Sequence, residues 1–448
     1  MSLPSIYDLN VTGYQLLQLI ETRPVKVIPI ENRQNMSQPL PGVGKAFDLT
    51  PYLDEKSGLT EYRVDGWDNI TAVSRTKDGK VIELKEENYP LLKNAASFFL
   101  EQNDRFLIAD NKFVEEAIFD WLTEAMLQQR VAFNLTTFLE RHIEHATKRH
   151  TFYFKVSPLG IESSIKFAGV SIFHFSDEHL RKEYEKLKDG KRHDWATYKS
   201  LFRDATDFIA VGVEVKAVES MAEYVARTRA QQAINALKCF LFKEAISKEI
   251  YLFNLEFKAL PHDSTTILSR TEDGGIRIHS LNMRLGGPVE LTNAHMQRLN
   301  RIGLHLFDGF LTNFRMTPFN QLIGRGIDQL ADAFSIRDLH ARCVDLVSFF
   351  ELFLNYDEKS GAKPQTYMVR NILPKLFENQ DLTNEKRQIQ LLYHIRNRYL
   401  HNRHKISFEI KDLYELQMLA FCFLRHMVIL SKTLQTKEDF FKHFGIPI

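Results

Sequence analysis

The chain has 448 residues, of which 44% are hydrophobic, and this is enough for two or three domains rather than one small module. Its 58 basic and 57 acidic side chains leave a net charge of +1, so no global field draws the chain to nucleic acid or to an anionic membrane. Any contact with nucleic acid must therefore be a local patch.

The cysteines and the apolar runs predict where the protein resides. Cys239, Cys343 and Cys422 stand far apart in apolar surroundings, which is typical of reduced thiols in a core. The first ten residues lack the pattern of a secretory leader, and no window approaches the roughly 18 uninterrupted apolar residues of a membrane span. We expect a soluble cytoplasmic protein without a membrane contact.

The first 290 residues are predicted to be a mixed α+β region, which could divide into 1–90 and 91–290. Residues 1–90 look β-rich, with β-like runs at 24–30 and 79–84. The pattern then predicts helices and strands in this order: helical 111–148, strands 151–156, 164–175 and 207–218, a long helix 220–245, and a strand 250–260.

The composition and the spacing of apolar residues change near residue 290, where we place the domain boundary. Residues 262–287 are polar and contain glycines, the composition of a linker or an exposed hairpin. After this segment every apolar stripe has helical spacing, beginning behind the helix caps Thr292 and Asn293. Such stripes must face one another, so 291–448 is predicted to be an all-α antiparallel bundle.

A dense basic segment interrupts one of these stripes at Arg396–Asn397–Arg398–Tyr399–Leu400–His401. At about 100° per residue, Arg396 falls within the apolar face that Ile389, Leu392, Ile395, Tyr399 and Leu400 form, whereas Arg398 falls opposite it. A guanidinium on such a face is costly unless it is paired or lines a cleft that an anion enters, because it cannot be deprotonated.

His401 lies five positions after Arg396, about 140° round an ideal helix. The two side chains can address one point only if the helix frays there or if a partner subunit closes the site. Dimerisation is therefore an expectation. The pair Arg398 and His404 is a second possible combination, which ranks lower because Arg398 lies on the wrong face.

The order of Arg396, polar Asn397, three further residues and His401, on the penultimate long helix of a bundle, resembles the HEPN ribonuclease motif. Leu391 to Arg398 is similar to HEPN proteins that carry large N-terminal sensor-like regions, including those of phage defence. Glu351, on an earlier helix, resembles the acidic position that such bundles place near the site. The resemblance covers about 291–448 and matches 1–290 only in general layout.

The resemblance implies a metal-independent RNA endonuclease without a cofactor, working as a homodimer through its C-terminal bundle. RNA cleavage would proceed by attack of a 2′-hydroxyl on the adjacent phosphodiester. His401 would act as general base or acid, Arg396 would hold the phosphate, and Asn397 and Glu351 would orient them. The resemblance also implies that the protein is a regulated effector in antiviral defence or abortive infection, with a phage or nucleotide trigger that acts on the N-terminal region.

Two other classes of function remain open from the residues. One is a non-catalytic HEPN-like module that binds RNA or dimerises, in which Arg396 only grips phosphate. The other is a metal-dependent nuclease at Glu214-x-Lys216, although the same spacing recurs at Glu83 and Glu256 as it does on any solvent-facing strand.

Three weaker patterns favour ordinary structure. His142, His145 and His150 lack an accompanying ligand set, so a solvated helix face is expected there. The Gly-Lys pair at 44–45 lacks the spacing of a phosphate loop, and Gly324–Arg325–Gly326 looks like a break between helices.

Overall fold

The computed structural model describes residues 6–24, 59–64, 70–77, 80–102, 108–128, 134–157, 159–186, 195–196, 199, 208–241, 254–255, 263–270, 276–283, 289–336, 338–355, 364–378, 380–402 and 407–447. Within these ranges the protein is mixed α/β. Strands lie in the N-terminal part and the C-terminal part is helical, as the sequence predicts. The chain forms two compact units, 1–148 with 217–221, and 149–216 with 222–448.

The first unit combines helices with a four-stranded antiparallel sheet of order β1-β4-β3-β2. Phe99, Trp121 and Leu122 are at most 1% exposed at its centre. Its elements are α1 Ile6–Leu19, β1 Glu21–Pro24, β2 Leu59–Val64, β3 Ile70–Lys77, β4 Lys80–Leu84, α2 Tyr89–Gln102, α3 Asn111–Gln128 and α4 Leu135–Ala146.

Two predictions for this unit need correction. The β-rich region also contains α1, and the single helical stretch predicted for 111–148 is divided into α3 and α4. Asn134 explains the second helix start, because its side chain accepts a hydrogen bond from the backbone N–H of Thr137 and so caps α4. Of the β-like run 24–30, only residue 24 lies within the described residues.

The second unit contains a larger sheet of order β12-β11-β5-β9-β8-β7, with β10 paired to β5 and a separate parallel pair of β6 and β13. On β5, Phe152, Phe154 and Val156 are buried and alternate with half-buried residues, so one face of this strand is covered. The strands are β5 Lys148–Ser157, β6 Leu159–Ile161, β7 Ile165–Phe167, β8 Val170–Phe175, β9 Phe208–Ala217, β10 Asn254–Leu255, β11 Asp263–Arg270, β12 Ile276–Met283 and β13 Val289–Leu291.

Two hairpins refine the sequence prediction. The strand predicted at 164–175 folds back at Ala168 and Gly169, whose φ angles of 54° and 74° are those of a two-residue hairpin turn. Of the polar segment 262–287, which was predicted to be a linker or an exposed hairpin, residues 263–270 and 276–283 form the antiparallel strands β11 and β12, and β11 joins the sheet beside β5.

Helices make up the rest of the second unit, beginning with α5 Asp177–Glu185 and α6 Glu219–Phe240. A π-helical turn, Met368–Ile372, separates two short helices within the series. The later helices are α7 Asn293–Arg301, α8 Leu304–Thr312, α9 Pro318–Ser335, α10 Leu339–Leu354, α11 Pro364–Tyr367, α12 Leu373–Leu376, α13 Thr383–Asn402, α14 Ile410–Leu430 and α15 Lys437–Phe444.

Aromatic side chains fill the centre of these helices. Phe349, Phe350 and Phe353 of α10 each contact Phe423 of α14, with ring centroids 5.1 to 5.8 Å apart. All four rings are 0% exposed. Edge-to-face packing of this kind stabilises the contact of α10 with α14 beyond the burial of its apolar area.

Helix α6 belongs to this packing although it precedes residue 290. The Phe240 ring lies 5.0 Å from Phe307 and 4.8 Å from Phe421. The side-chain amide of Asn235 donates to Asp328 of α9 over 2.6 Å, and the buried Lys238 ammonium donates to Asn254 of β10 over 2.7 Å. The two compact units divide at 148–149, and the boundary near 290 stays a prediction.

Helix α14 is the one helix in the described part of the chain that is long and apolar enough to cross a membrane. Phe423 and Met427 on it are completely buried among the other helices. The core helix of a water-soluble protein has the same length and composition, so this helix is weak support for a membrane span.

The three cysteines are free thiols. Burial raises the pKa of all three, to about 12 for Cys343. They are therefore protonated near neutral pH, as expected for inert core residues.

Helices α9 and α10 approach closely at Gly326, which lies inside α9 where the sequence suggested a break. A Cβ atom on Gly326 would lie 2.7 Å from Cζ of Phe353, whose ring is fully enclosed. We predict that Gly326→Ala lowers the free energy of unfolding by about 1–3 kcal/mol, because the ring must shift in a filled core. Urea unfolding measures this.

Gly309→Ala is the matched control. Gly309 lies in α8, is exposed, and a Cβ there would meet nothing within 4 Å. This variant should gain about 0.5–1 kcal/mol, since alanine favours helix over glycine. Equal stability of the Gly326 variant and the wild type would contradict the close packing.

Candidate active site

Helix α13 positions the motif segment. Asp381 starts the helix by accepting hydrogen bonds from the backbone and hydroxyl of Thr383. Ile389, Leu392 and Ile395 are all 0% exposed, which confirms the predicted apolar face. With this face buried, the side chain of Arg396 points towards the neighbouring helix α10.

Arg396 lies beside the carboxylate of α10. Its Nη2 atom is 4.0 Å from Oε2 of Glu351, and the two side chains are 30% and 23% exposed. Its Nη1 atom donates a 3.1 Å hydrogen bond to Oδ1 of Asn397. Arg398, in contrast, is exposed. The structure therefore places Arg396, Asn397 and Glu351 together.

His401 stands apart from that group. It is exposed at the end of α13, and in the described residues no hydrogen bond or ion pair joins it to Arg396. The separation has the origin given above: five positions turn the side chain about 140° from Arg396 on a helix. Within one chain, three of the four predicted site residues meet and the fourth does not.

The sequence reasoning missed Tyr393 as part of this group. Its side chain is only 8% exposed, and it lies one turn before Arg396 on α13. Burial and the Glu351 carboxylate raise the pKa of its phenol, while the Arg396 guanidinium lowers it less. The sequence does carry a signal for Tyr393. It stands three positions before the inward-facing Arg396, and residues i and i+3 are neighbours on a helix.

Helices α10 and α13 run in opposite directions along this contact. Glu351 meets Arg396, whereas His340, earlier on α10, stacks on Tyr399, later on α13, with ring centroids 5.7 Å apart. Arg396 thus reaches back along its own helix to meet Glu351. Tyr393 lies on that path.

An apolar patch adjoins the end of the motif helix. Leu339, Leu400 and Ile410 are 37%, 50% and 61% exposed at the ends of α10, α13 and α14. Leu400 was expected on the buried face, and that prediction is wrong. Leu400 lies in the last turn of α13, Leu339 begins α10 and Ile410 begins α14, so each is a terminal side chain with fewer neighbours on its own helix than a side chain in mid-helix.

The alternative candidates show ordinary surroundings. Glu214 and Lys216 are exposed on β9, and Glu214 lies 3.7 Å from Arg149. The His142 ring packs between Phe113 and Phe138. Among the described residues there is no group of three or more His, Cys, Asp or Glu side chains that could hold a metal ion. His404 and the Gly-Lys pair lie outside the described residues.

Comparison of the chain with protein-family models, with curated proteins and with solved structures found no match. The functional assignment therefore depends on the residues and their geometry alone.

The candidate site should tolerate substitution without unfolding. We predict that Arg396→Ala, Glu351→Gln and His401→Ala each change the free energy of unfolding by less than about 1 kcal/mol, because partly exposed ion pairs contribute little. Leu392→Ala, on the buried face of the same helix, should cost about 2–5 kcal/mol. Urea unfolding monitored by circular dichroism compares the four variants.

A loss of several kcal/mol in Arg396→Ala or Glu351→Gln would show that the pair holds the fold together. Such a result would contradict a primarily functional role for it.

Proposed function

We propose that the chain is a metal-independent RNA endonuclease of the HEPN type, with an HEPN-like helical bundle in its C-terminal part. One observation carries the proposal. The Arg396 guanidinium, which the motif singles out, lies half-buried against Glu351 on the neighbouring helix, at the acidic position that the resemblance names. A charge that cannot be neutralised is held where an anion can displace its partner.

Arg396 would bind the scissile phosphodiester. Its planar fork of donors suits two phosphate oxygens, and it stabilises the negative charge that builds on them during displacement. The 3.1 Å hydrogen bond to Asn397 orients the guanidinium plane, and Glu351 holds it from the other side. These contacts prearrange the donors before the substrate arrives.

His401 would move the protons. A base takes the proton from the 2′-hydroxyl as its oxygen bonds to phosphorus, and an acid gives a proton to the departing 5′-oxygen as the P–O5′ bond breaks. The products are a 2′,3′-cyclic phosphate and a 5′-hydroxyl. Imidazole suits both roles because its ordinary pKa is about 6.5. The requirement for a 2′-hydroxyl selects RNA over DNA.

A second copy of the chain would complete the site. Among the described residues no hydrogen bond or ion pair joins His401 to Arg396, and one imidazole cannot be base and acid in the same step. A homodimer formed through the patch of Leu339, Leu400 and Ile410 would bring a second His401 to the same cleft. Burial of these exposed side chains supplies the driving force.

The remainder of the chain would regulate cleavage. The sheet region contacts the bundle through α6, whose Asn235 reaches Asp328 and whose Phe240 reaches Phe421. A phage or nucleotide trigger sensed there would release a cytoplasmic nuclease that needs no cofactor, in antiviral defence or abortive infection.

The chemistry predicts a sharp pattern of RNA cleavage. Wild-type protein should cleave RNA equally well in EDTA, because no step uses a metal. Arg396→Ala and His401→Ala should each slow cleavage by about 10²–10⁴-fold, the usual size of a lost electrostatic or acid–base contribution. Gel analysis of a labelled RNA measures both effects.

Two controls accompany this test. Arg398→Ala removes an equal charge from the exposed side of α13 and should change the rate by less than about threefold, as expected for a solvated surface charge. Lys216→Ala should also retain activity. Loss of cleavage in EDTA together with loss in Lys216→Ala would instead favour the metal-dependent alternative at Glu214.

The dimer is tested separately. Wild-type protein should have twice the chain mass by light scattering at micromolar concentration. Leu400→Asp combined with Ile410→Asp should give a folded monomer that no longer cleaves RNA, since two carboxylates would be buried without partners. Tyr224→Asp is the control, because Tyr224 is 64% exposed on α6, away from the patch. A double variant that remains dimeric and active would contradict this interface.

The exposure of His401, which no described hydrogen bond or ion pair joins to Arg396, favours one alternative, a non-catalytic module in which Arg396 only binds the phosphates of RNA. That module would bind RNA without cleaving it under any trigger. Arg396→Ala would then weaken binding, while His401→Ala would have no effect.

A further inference from the structure

The phenol of Tyr393 is a buried polar group that the proposed reaction leaves unused. Its oxygen is inaccessible to solvent and has no hydrogen-bond partner among the residues that the structure describes. A buried hydroxyl in this state costs folding free energy, because it gives up its bonds to water and gains none. Such a group calls for an explanation, and its surroundings supply one.

Two charged side chains act on this phenol. Tyr393 and Arg396 stand three positions apart and so share one side of α13. The Glu351 carboxylate of α10 has a stronger effect on the phenol than the Arg396 guanidinium, since the carboxylate raises its pKa more than the guanidinium lowers it. The phenol therefore stays protonated at cellular pH, and it can donate a hydrogen bond but not supply a negative charge.

The Arg396–Glu351 pair is poorly closed. At 4.0 Å it lies at the outer limit of an ion pair and is longer than a hydrogen bond of about 2.9 Å. When Arg396 turns its donors to a phosphate, Glu351 loses this ion pair, and its side chain is only 23% exposed. A partly buried carboxylate that loses its partner opposes the movement that binding requires.

We propose, on the basis of the proposed function, that Tyr393 is a positioning residue whose O–H is donated to the Glu351 carboxylate when Arg396 transfers to the scissile phosphate. The hydroxyl has no hydrogen-bond partner among the described residues of the free protein, and it would gain one in the complex. This hydrogen bond replaces the lost ion pair. Glu351 is then not left without a partner, and the free energy of RNA binding is not reduced by that cost. In this complex Tyr393 would contact Glu351 and not the RNA.

Tyr393→Phe tests this because it removes the hydroxyl and keeps the ring. Two quantities are measured in wild type, Tyr393→Phe, Glu351→Gln and the double variant. One is the dissociation constant for an RNA whose cleaved position carries a 2′-deoxyribose, which blocks the reaction. The other is the cleavage rate of the all-ribose RNA at saturation. Tyr399→Phe is the matched control, as it removes a hydroxyl from the same helix one turn beyond Arg396.

We expect Tyr393→Phe to weaken binding of the uncleavable RNA about tenfold, the loss of one hydrogen bond to a charged group. In the Glu351→Gln background the same change should have an effect of less than about twofold, since the charged acceptor is gone. The urea midpoint of Tyr393→Phe should equal or exceed that of wild type, because within the described part of the chain the hydroxyl makes no hydrogen bond that the variant would lose. If the ring of Tyr393 served packing alone, Tyr393→Phe would bind the uncleavable RNA as wild type does in both backgrounds.

The outcomes separate this inference from the proposed function. If wild type cleaves RNA and Tyr393→Phe binds and cleaves as wild type does, the inference fails and the nuclease stands. If wild type binds without cleaving, yet Tyr393→Phe weakens binding only when Glu351 is present, the nuclease fails and the role of Tyr393 stands. An equal loss in both backgrounds, or a lower urea midpoint, overturns the role of Tyr393. Absence of RNA binding by wild type overturns both.

Discussion

The permanent charge of Arg396 is the constraint on which the rest of the site depends. Ile389, Leu392 and Ile395 must be buried, and this requirement turns Arg396 towards α10, where its side chain is 30% exposed. A guanidinium cannot lose its proton to escape the cost, so it needs a counter-charge. Glu351 provides one at 4.0 Å, close enough to hold the guanidinium and loose enough to release it to a phosphate.

Helical periodicity was sufficient to predict much of this arrangement. The spacing of apolar residues predicted the buried face of α13 and the position of Arg396 on it. Thr292 caps α7, as its position before the first apolar stripe indicated, because its hydroxyl accepts a hydrogen bond from the N–H of His295. Tyr393 was missed because a tyrosine at the margin of an apolar face packs well whether or not its hydroxyl has a role. Only the position of Glu351 on another helix distinguishes the two cases.

Features that depend on distant parts of the chain could not be predicted. The contact of α6 with the C-terminal helices joins Asn235 to Asp328, 93 positions apart, and no local pattern encodes such a pairing. The close approach at Gly326 depends in the same way on the ring of Phe353. Leu400 fits the apolar stripe, yet it is exposed in the last turn of α13, beyond the part of the helix that is buried. That exposure, with the 140° turn between Arg396 and His401 on a helix, makes a second chain part of the proposed site.

The account is tested most directly by the chemical ends of the RNA fragments. Attack by the 2′-hydroxyl transfers the phosphate within the RNA, so mass spectrometry of the wild-type products should find 2′,3′-cyclic phosphate and 5′-hydroxyl ends. Attack by a metal-activated water would leave no cyclic intermediate. Fragments that carry 5′-phosphate and 3′-hydroxyl ends would contradict the central claim, whatever the behaviour of the Arg396 variant.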